Sequence, residues 1–391
     1  MTPFHRSINF SMRKKFIFAT IIPLAAVLLS GCVGSTAWPG LSTSGEVAYL
    51  ANTTAVYGID VKTGKELWSF SGEGGGLLNS NPSLFVTTPV ITEDGLVIIL
   101  DSGNKHDMFA INPNDINENT PAVAWKFTGA DGHWIAPPLI VGNRLFAPNA
   151  DGNIYVLDLQ DGQSVKQAIK VIEPFLDSEG PPGRLWAQPV SDGERIFVTS
   201  LDHSVFAIDL ETYEIIWHED LGGAVPGGAA LGSDGMLYVG SLAKQLEKFD
   251  PLTGDHKPVL DTKGWIWGTP VAEGDNLYFS DVDGYFYSYN TKDERLNWEP
   301  VKPNNAITEN AITASPLVQS DNVLLATETG SIYSIDSQGK VVLWYDEPKD
   351  GKAYTTPISA GGYVLVAYLE SDYYLIALNE DGRQAWTFPA Q

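Results

Sequence analysis

Gly58-Ile59-Asp60-Val61-Lys62-Thr63-Gly64-Lys65-Glu66-Leu67-Trp68 reads as the end of one strand, a closed turn and the start of the next strand. An Asp side chain accepts from backbone N–H groups across such a turn, and Gly64 supplies the φ > 0 position that closes the hairpin. Working outward from this turn, an alternating strand that ends in Asp or Asn is written eight times: VYGID, MFAIN, IYVLD, VFAID, LEKFD, FYSYN, IYSID and LIALN. The copies end at Asp60, Asn112, Asp158, Asp209, Asp250, Asn290, Asp336 and Asn379, about 46 residues apart on average. That period fits a propeller blade of several short strands, whereas a helical solenoid would repeat its apolar residues about every 3.6 positions.

Each unit reads as four strands. The first opens beside a proline: Pro39, Pro89, Pro137-Pro138, Pro189, Pro270, Pro316 and Pro357, with only the fifth unit, Gly227-Gly228-Ala229-Ala230, lacking one. Proline removes a ladder donor and so suits a strand start or an edge. A turn then leads to an apolar run such as GERIFVT or DGMLYVG, the pattern of a strand buried on both faces. A second turn, often Asp-Gly, leads to the strand that ends in Asp or Asn. Trp68, Trp217, Trp298 and Trp344 stand eight residues past that Asp or Asn, Trp386 one earlier and Trp125 five later. A flat indole recurring on the outer strand predicts packing between blades. Units three and five carry Lys166 and Pro258 in that place, and weaker blade contacts are expected there.

The pattern Asp-x-x-Thr-Gly-Lys-Glu-x-Trp, as it stands at residues 60–68, resembles the tryptophan-docking motif of the pyrroloquinoline-quinone-repeat propellers. The resemblance covers the chain from residue 37 to 391 and implies an all-β fold: an eight-bladed β-propeller of four-stranded antiparallel blades with tryptophan-docking motifs. It makes Trp68, Trp125, Trp217, Trp298, Trp344 and Trp386 structural. Because eight units fit between Ala37 and Phe388, the ring can close with no strand exchanged between the termini.

Arg13, Lys14 and Lys15 precede an apolar run from Phe16 to Leu29 that ends in Leu29-Ser30-Gly31-Cys32. This is the pattern of a lipoprotein signal peptide over residues 1–32; the run is shorter than the roughly 20 apolar residues a spanning helix needs. Met12 sits before the basic cluster, so residues 1–11 read as a mis-called start. Cys32 is the predicted lipidation site, residues 33–36 a short tether, and the location extracytoplasmic, on the outer membrane or the outer face of the cell membrane. Cys32 is also the one cysteine of the chain, so no internal disulfide can form and packing must hold the fold. The net charge of −24 deepens to about −28 without residues 1–32, which argues against nucleic acid and anionic lipid as ligands.

No catalytic residue and no metal site is assigned. Family enzymes that use the quinone with Ca²⁺ imply a catalytic carboxylate and, in many members, an adjacent cysteine pair; this chain has no second cysteine and no visible insertions to cover a cofactor. Pyrroloquinoline quinone and Ca²⁺ are therefore not expected. His106, His133, His203, His218 and His256 stand at no zinc-ligand spacing. Gly72-Glu73-Gly74-Gly75-Gly76 opens no helix, and Asp281-Val282-Asp283-Gly284 carries only part of a calcium loop.

Trp134, Trp186, Trp267 and Tyr354 each stand three residues before a strand-opening proline, with Trp265 two residues before Trp267. Repeat symmetry predicts that these five form a binding mouth at the central channel; packing between blades is the competing reading. Loops 71–85, 168–185 and 299–312, with Leu77, Leu78, Phe85, Phe175, Leu176 and Arg184, suit a protein or peptide partner. Length, lipobox and uninterrupted ring are similar to the lipoprotein propellers that serve outer-membrane β-barrel assembly. The resemblance implies a non-enzymatic envelope scaffold, as a monomeric ring. A quinone-dependent alcohol or sugar dehydrogenase and a carbohydrate-binding surface module stay open as alternatives.

Overall fold

The computed structural model describes residues 38–72, 82–171, 185–303, 311–346 and 351–389, all within one compact unit spanning Ala37–Gln391. The signal peptide, Cys32, the tether and loop residues Leu77, Leu78, Phe175, Leu176 and Arg184 lie outside the described residues, as do Glu73 to Gly76. Among those described there is no helix. Eight antiparallel sheets of four strands each follow one another along the chain, every sheet ordered as its strands occur in sequence. They are blades 1 to 8, covering residues 40–70, 90–127, 139–170, 190–220, 230–261, 271–296, 317–345 and 358–388.

The core explains why the sheets close into a ring. Among the described residues eight apolar clusters each join two consecutive blades. In blade 3, Leu145 and Ala147 face blade 2 while Phe146 faces blade 4, so the second strand is buried on both sides and reads as a continuous apolar run. The last cluster joins Leu41, Ala48, Leu50, Ile59 and Val61 of blade 1 to Leu365, Ala367, Leu375, Ala377 and Phe388 of blade 8. Side-chain packing, with no shared strand, seals the ring at its termini.

The turn at Asp60 forms as its residues dictate. Its carboxylate accepts from the Thr63 N–H at 2.8 Å and the Thr63 hydroxyl at 2.6 Å, and those bonds, the hydroxyl's first, hold the Asp60 carboxyl below the usual range. The indole of the preceding blade lies on the turn glycine: a Cβ on Gly64 would fall 2.5 Å from Cε3 of Trp386. The Trp386 Nε1–H donates to the Val61 carbonyl at 2.9 Å. Trp125, Trp217, Trp298 and Trp344 dock in the same way on Gly162, Gly254, Gly339 and Gly382.

Three junctions differ, and each differs on both sides. Trp68 meets no such glycine, because the outer hairpin of blade 2 (Met108–Asn117 and Thr120–Phe127) runs past the place where other blades turn. Trp68 instead covers Gly58 of its own blade, fully buried, and is not docked like the other five. The hairpin tip folds over blade 1, where Ser69 N–H donates to the Asn119 carbonyl at 2.9 Å, covering an edge strand that would otherwise invite pairing. It also accounts for the late position of Trp125. At the other two junctions the missing Trp is matched by a missing glycine. Tyr213 (φ 60°) faces Lys166, whose Nζ lies 5.0 Å from the ring centroid, and Glu294 (φ 49°) pairs with Lys248 of blade 5 at 2.9 Å. Cation–π and ionic contacts thus stand where weaker contact was expected.

Candidate functional site

Pairing between the first and second strands gives a register that the sequence spacing does not. Leu139 of blade 3 pairs with Phe146, Val190 of blade 4 with Phe197, Val271 of blade 6 with Tyr278 and Ile358 of blade 8 with Leu365. Counting back four residues from these aligned positions reaches Ile135, Trp186, Trp267 and Tyr354. The same register in the other blades reaches Trp38, Val86, Pro226 and Thr313. All eight residues, one per blade, line a single cavity of about 410 Å³ at the approach to the innermost strands, which is the central channel.

The residues that follow them are small: Pro39, Thr87, Ala136, Ala187, Gly227, Gly268, Ala314 and Thr355. Neighbouring backbones meet here, and a Cβ on Gly227 would lie 2.8 Å from the Gly268 carbonyl. A Cβ on Gly268 would likewise lie 3.0 Å from the Thr313 carbonyl, so blades 5 and 6 carry glycine where blades 2, 3, 4, 7 and 8 carry Ala or Thr. The Thr355 hydroxyl donates to the Pro39 carbonyl and ties blade 8 to blade 1 at the same level.

Four of the eight lining residues are aromatic, and their rings reach across the channel. Trp38 stacks on Tyr354 with centroids 5.2 Å apart and planes 10° apart. Trp38 meets Trp267 at 6.2 Å, and Trp267 meets Trp186 edge-to-face at 6.4 Å. The Trp186 Nε1–H is buried and finds no acceptor among the described residues. Burial, then the nearby Glu328 carboxyl, pushes the Tyr354 phenol up, so it stays neutral and able to donate. Burial also pushes Glu328 up, with Lys352 opposing. The lining itself contains no charged side chain. What the arrangement offers a guest is flat aromatic surface bordered by polar groups that include the Trp186 indole N–H, the Tyr354 phenol and the hydroxyls of Thr88, Thr313 and Ser315.

Of the predicted mouth, Trp186, Trp267 and Tyr354 come together here. Trp134 does not: it is fully buried between blades 2 and 3, edge-on to Tyr155 at 5.5 Å, with its Nε1–H donating to the His106 carbonyl at 2.8 Å. The cause is the double proline. Strand register aligns Pro138, not Pro137, with the single prolines of other blades, so Ile135 takes the channel position and Trp134 falls one residue short. Trp265 is 40 % exposed and outside the lining. Trp38 was missed because Pro39 resembles a strand-opening proline, whereas the pairing of Ser44 with Val47 puts Leu41 at that place.

Other candidates resolve into structure. Phe85, expected in a recognition loop, is fully buried against Phe70. Asp281 is buried, accepting from Tyr285 N–H at 2.9 Å on one oxygen and from Gly264 N–H and the Tyr287 hydroxyl on the other. Both oxygens hold the turn together. Among the described residues no three His, Cys, Asp or Glu side chains gather as a metal-binding group. A quinone with three carboxylates needs cationic partners, and the channel lining supplies none, so these residues do not fit that cofactor.

A family model described as outer membrane protein assembly factor BamB matches residues 34–214, 201–345 and 304–391. Two curated relatives carry the same description. The one from Yersinia pestis is 21 % identical over 307 residues, 75 % of this chain and 70 % of the relative. The one from Shewanella oneidensis is 23 % identical over 252 residues, and there the match spans 60 % of this chain and 58 % of the relative. Among solved structures, BamB from Moraxella catarrhalis matches with a TM-score of 0.63 at 18 % identity, covering 84 % of this chain and 90 % of that one. The computationally designed protein Ika8 matches with the same TM-score at 15 % identity, covering 89 % and 95 %. These two structural likenesses speak to the fold alone.

Proposed function

This chain belongs to the outer membrane protein assembly factor BamB family, and on that premise we propose that it is a non-enzymatic scaffold of the cell envelope that binds a protein or peptide partner in outer-membrane protein assembly. Lipid on Cys32 anchors the single ring to the membrane, and the channel mouth formed by Trp38, Trp186, Trp267 and Tyr354 takes part of the partner. The observation that carries the binding site is the convergence of four rings from blades 1, 4, 6 and 8 on one uncharged cavity, beside an indole N–H that finds no acceptor among the described residues. An inserted apolar or aromatic side chain stacks on those rings, and a carbonyl beside it satisfies the Trp186 donor. The strongly negative charge of the chain favours a partner with a cationic surface and speeds its encounter.

Crosslinking and affinity capture of the lipidated chain from cell envelopes tests the reading. Recovery of a specific envelope protein is expected. Recovery of none, or dye reduction by the purified chain with pyrroloquinoline quinone, Ca²⁺ and an alcohol or sugar, would overturn it.

A further inference from the structure

A second cavity, about 470 Å³, opens between blades 6 and 7 on the side of the ring opposite the channel mouth, where the hairpins joining first to second and third to fourth strands lie. It is of the size that small-molecule sites occupy. Its base is apolar and buried: Phe286, Val323 and Ile335, with Tyr278 stacked on Phe286 at 6.2 Å and 7°. The fourth strand of blade 6, Arg295–Leu296, has only two residues, and beyond it Asn297 and Val301 bond to the third strand while Trp298 lines the cleft.

The walls are amides, and the protein fixes each by one end. The Asn276 Oδ1 accepts from Asn297 Nδ2–H at 2.8 Å and from Asn290 Nδ2–H at 3.4 Å. Asn322 donates to the Ser334 hydroxyl at 2.7 Å, and Gln319 donates to the Ser359 hydroxyl at 3.1 Å. The NH2 of Asn276 and the carbonyl oxygens of Asn297, Asn322 and Gln319 are not used in these bonds. An oriented set holding both donors and acceptors matches a ligand whose groups do both, which hydroxyls do. The exposed residues Asp321, Asp336 and Gln338 also line the cavity, and no Lys, Arg or His does, which disfavours an anion.

We propose that this inter-blade cleft is a binding site for a neutral saccharide, its C–H face against Tyr278 and the edge of Trp298 and its hydroxyls on the anchored amides. The proposal does not rest on the channel reading. Saturation-transfer NMR on the mature chain, with glucose, galactose, mannose and N-acetylglucosamine and their disaccharides as probes, tests it. At least one probe is expected to bind with Kd on the order of a millimolar, as a ligand of about a dozen heavy atoms does. Asn276→Ala and the exposed Gln338→Ala each weaken it about tenfold, while Trp186→Ala in the channel leaves it unchanged. Asn276→Ala alone can disturb the fold through its two accepted bonds; Gln338 is exposed, and Gln338→Ala keeps the test independent of folding. The proposal is overturned if no probe binds, if binding survives both cleft variants undiminished, or if Trp186→Ala abolishes it.

Discussion

Replacing Trp134 and Trp186 by alanine, one at a time, separates the two roles that a single residue of register decides. Trp134 is fully buried in the core between blades 2 and 3 and gives its N–H to the His106 carbonyl. Truncating a buried indole costs about 3–5 kcal/mol, and the His106 carbonyl loses its partner as well. With an unfolding entropy of about 2 cal/mol/K per residue over residues 37–391, this loss lowers Tm by roughly 4–7 °C. Trp186 is half-buried on the channel wall and its N–H has no partner among the described residues, so its removal costs only about 1–2 kcal/mol. Circular dichroism melts and urea midpoints of the two variants, measured beside capture of the envelope partner, read both effects. Trp134→Ala is expected to melt early yet keep partner binding at temperatures where it is folded. Trp186→Ala is expected to melt within about 3 °C of the parent and lose binding. Equal stability of the two variants would refute the assignment of Ile135, and not Trp134, to the channel.

The docking rule predicts that Gly162→Ala, at φ 68° with its new Cβ 2.4 Å from Trp125, destabilises by more than about 1 kcal/mol, measured by urea unfolding. By contrast, Lys166→Trp combined with Tyr213→Gly builds a sixth docked pair, and the double variant is expected to be more stable than either single one. Burial raises the Glu328 carboxyl above its usual value, so folding binds that proton more tightly, and the stability it contributes below the carboxylate range is lost as pH rises through the folded value. Glu328→Gln is therefore expected to exceed the parent in Tm at about pH 7.5 and to converge with it at about pH 4. Cys32→Ser is expected to move the chain from the membrane to the soluble envelope fraction, read by fractionation and immunoblot; continued membrane retention would count against the lipid anchor.

The blade repeat was legible because each Asp or Asn must sit where its carboxylate or amide can take turn N–H groups, as Asp60, Asp158 and Asp209 do. The docking tryptophans were legible as a spacing, but the glycine that each one needs on the next blade shows only in three dimensions. What failed was register. Strand pairing slips by one residue without changing composition, and each slip turns a side chain to the other face. Pro137-Pro138 offered two origins for the count and Pro39 a false one, so Trp134 was gained and Trp38 lost. The inter-blade cleft was invisible because its amides come from blades 6 and 7 and from four separate turns or strand ends.

Benzophenone crosslinking from single positions tests the channel directly. With the photo-reactive residue placed at Trp38 or Trp186, both expected on the partner, or at Trp265 or Gln338, both expected off it, cells are irradiated and adducts identified. The account predicts that positions 38 and 186 capture the same envelope protein while 265 and 338 do not. Capture from 265 or 338 with none from 38 and 186 would contradict it.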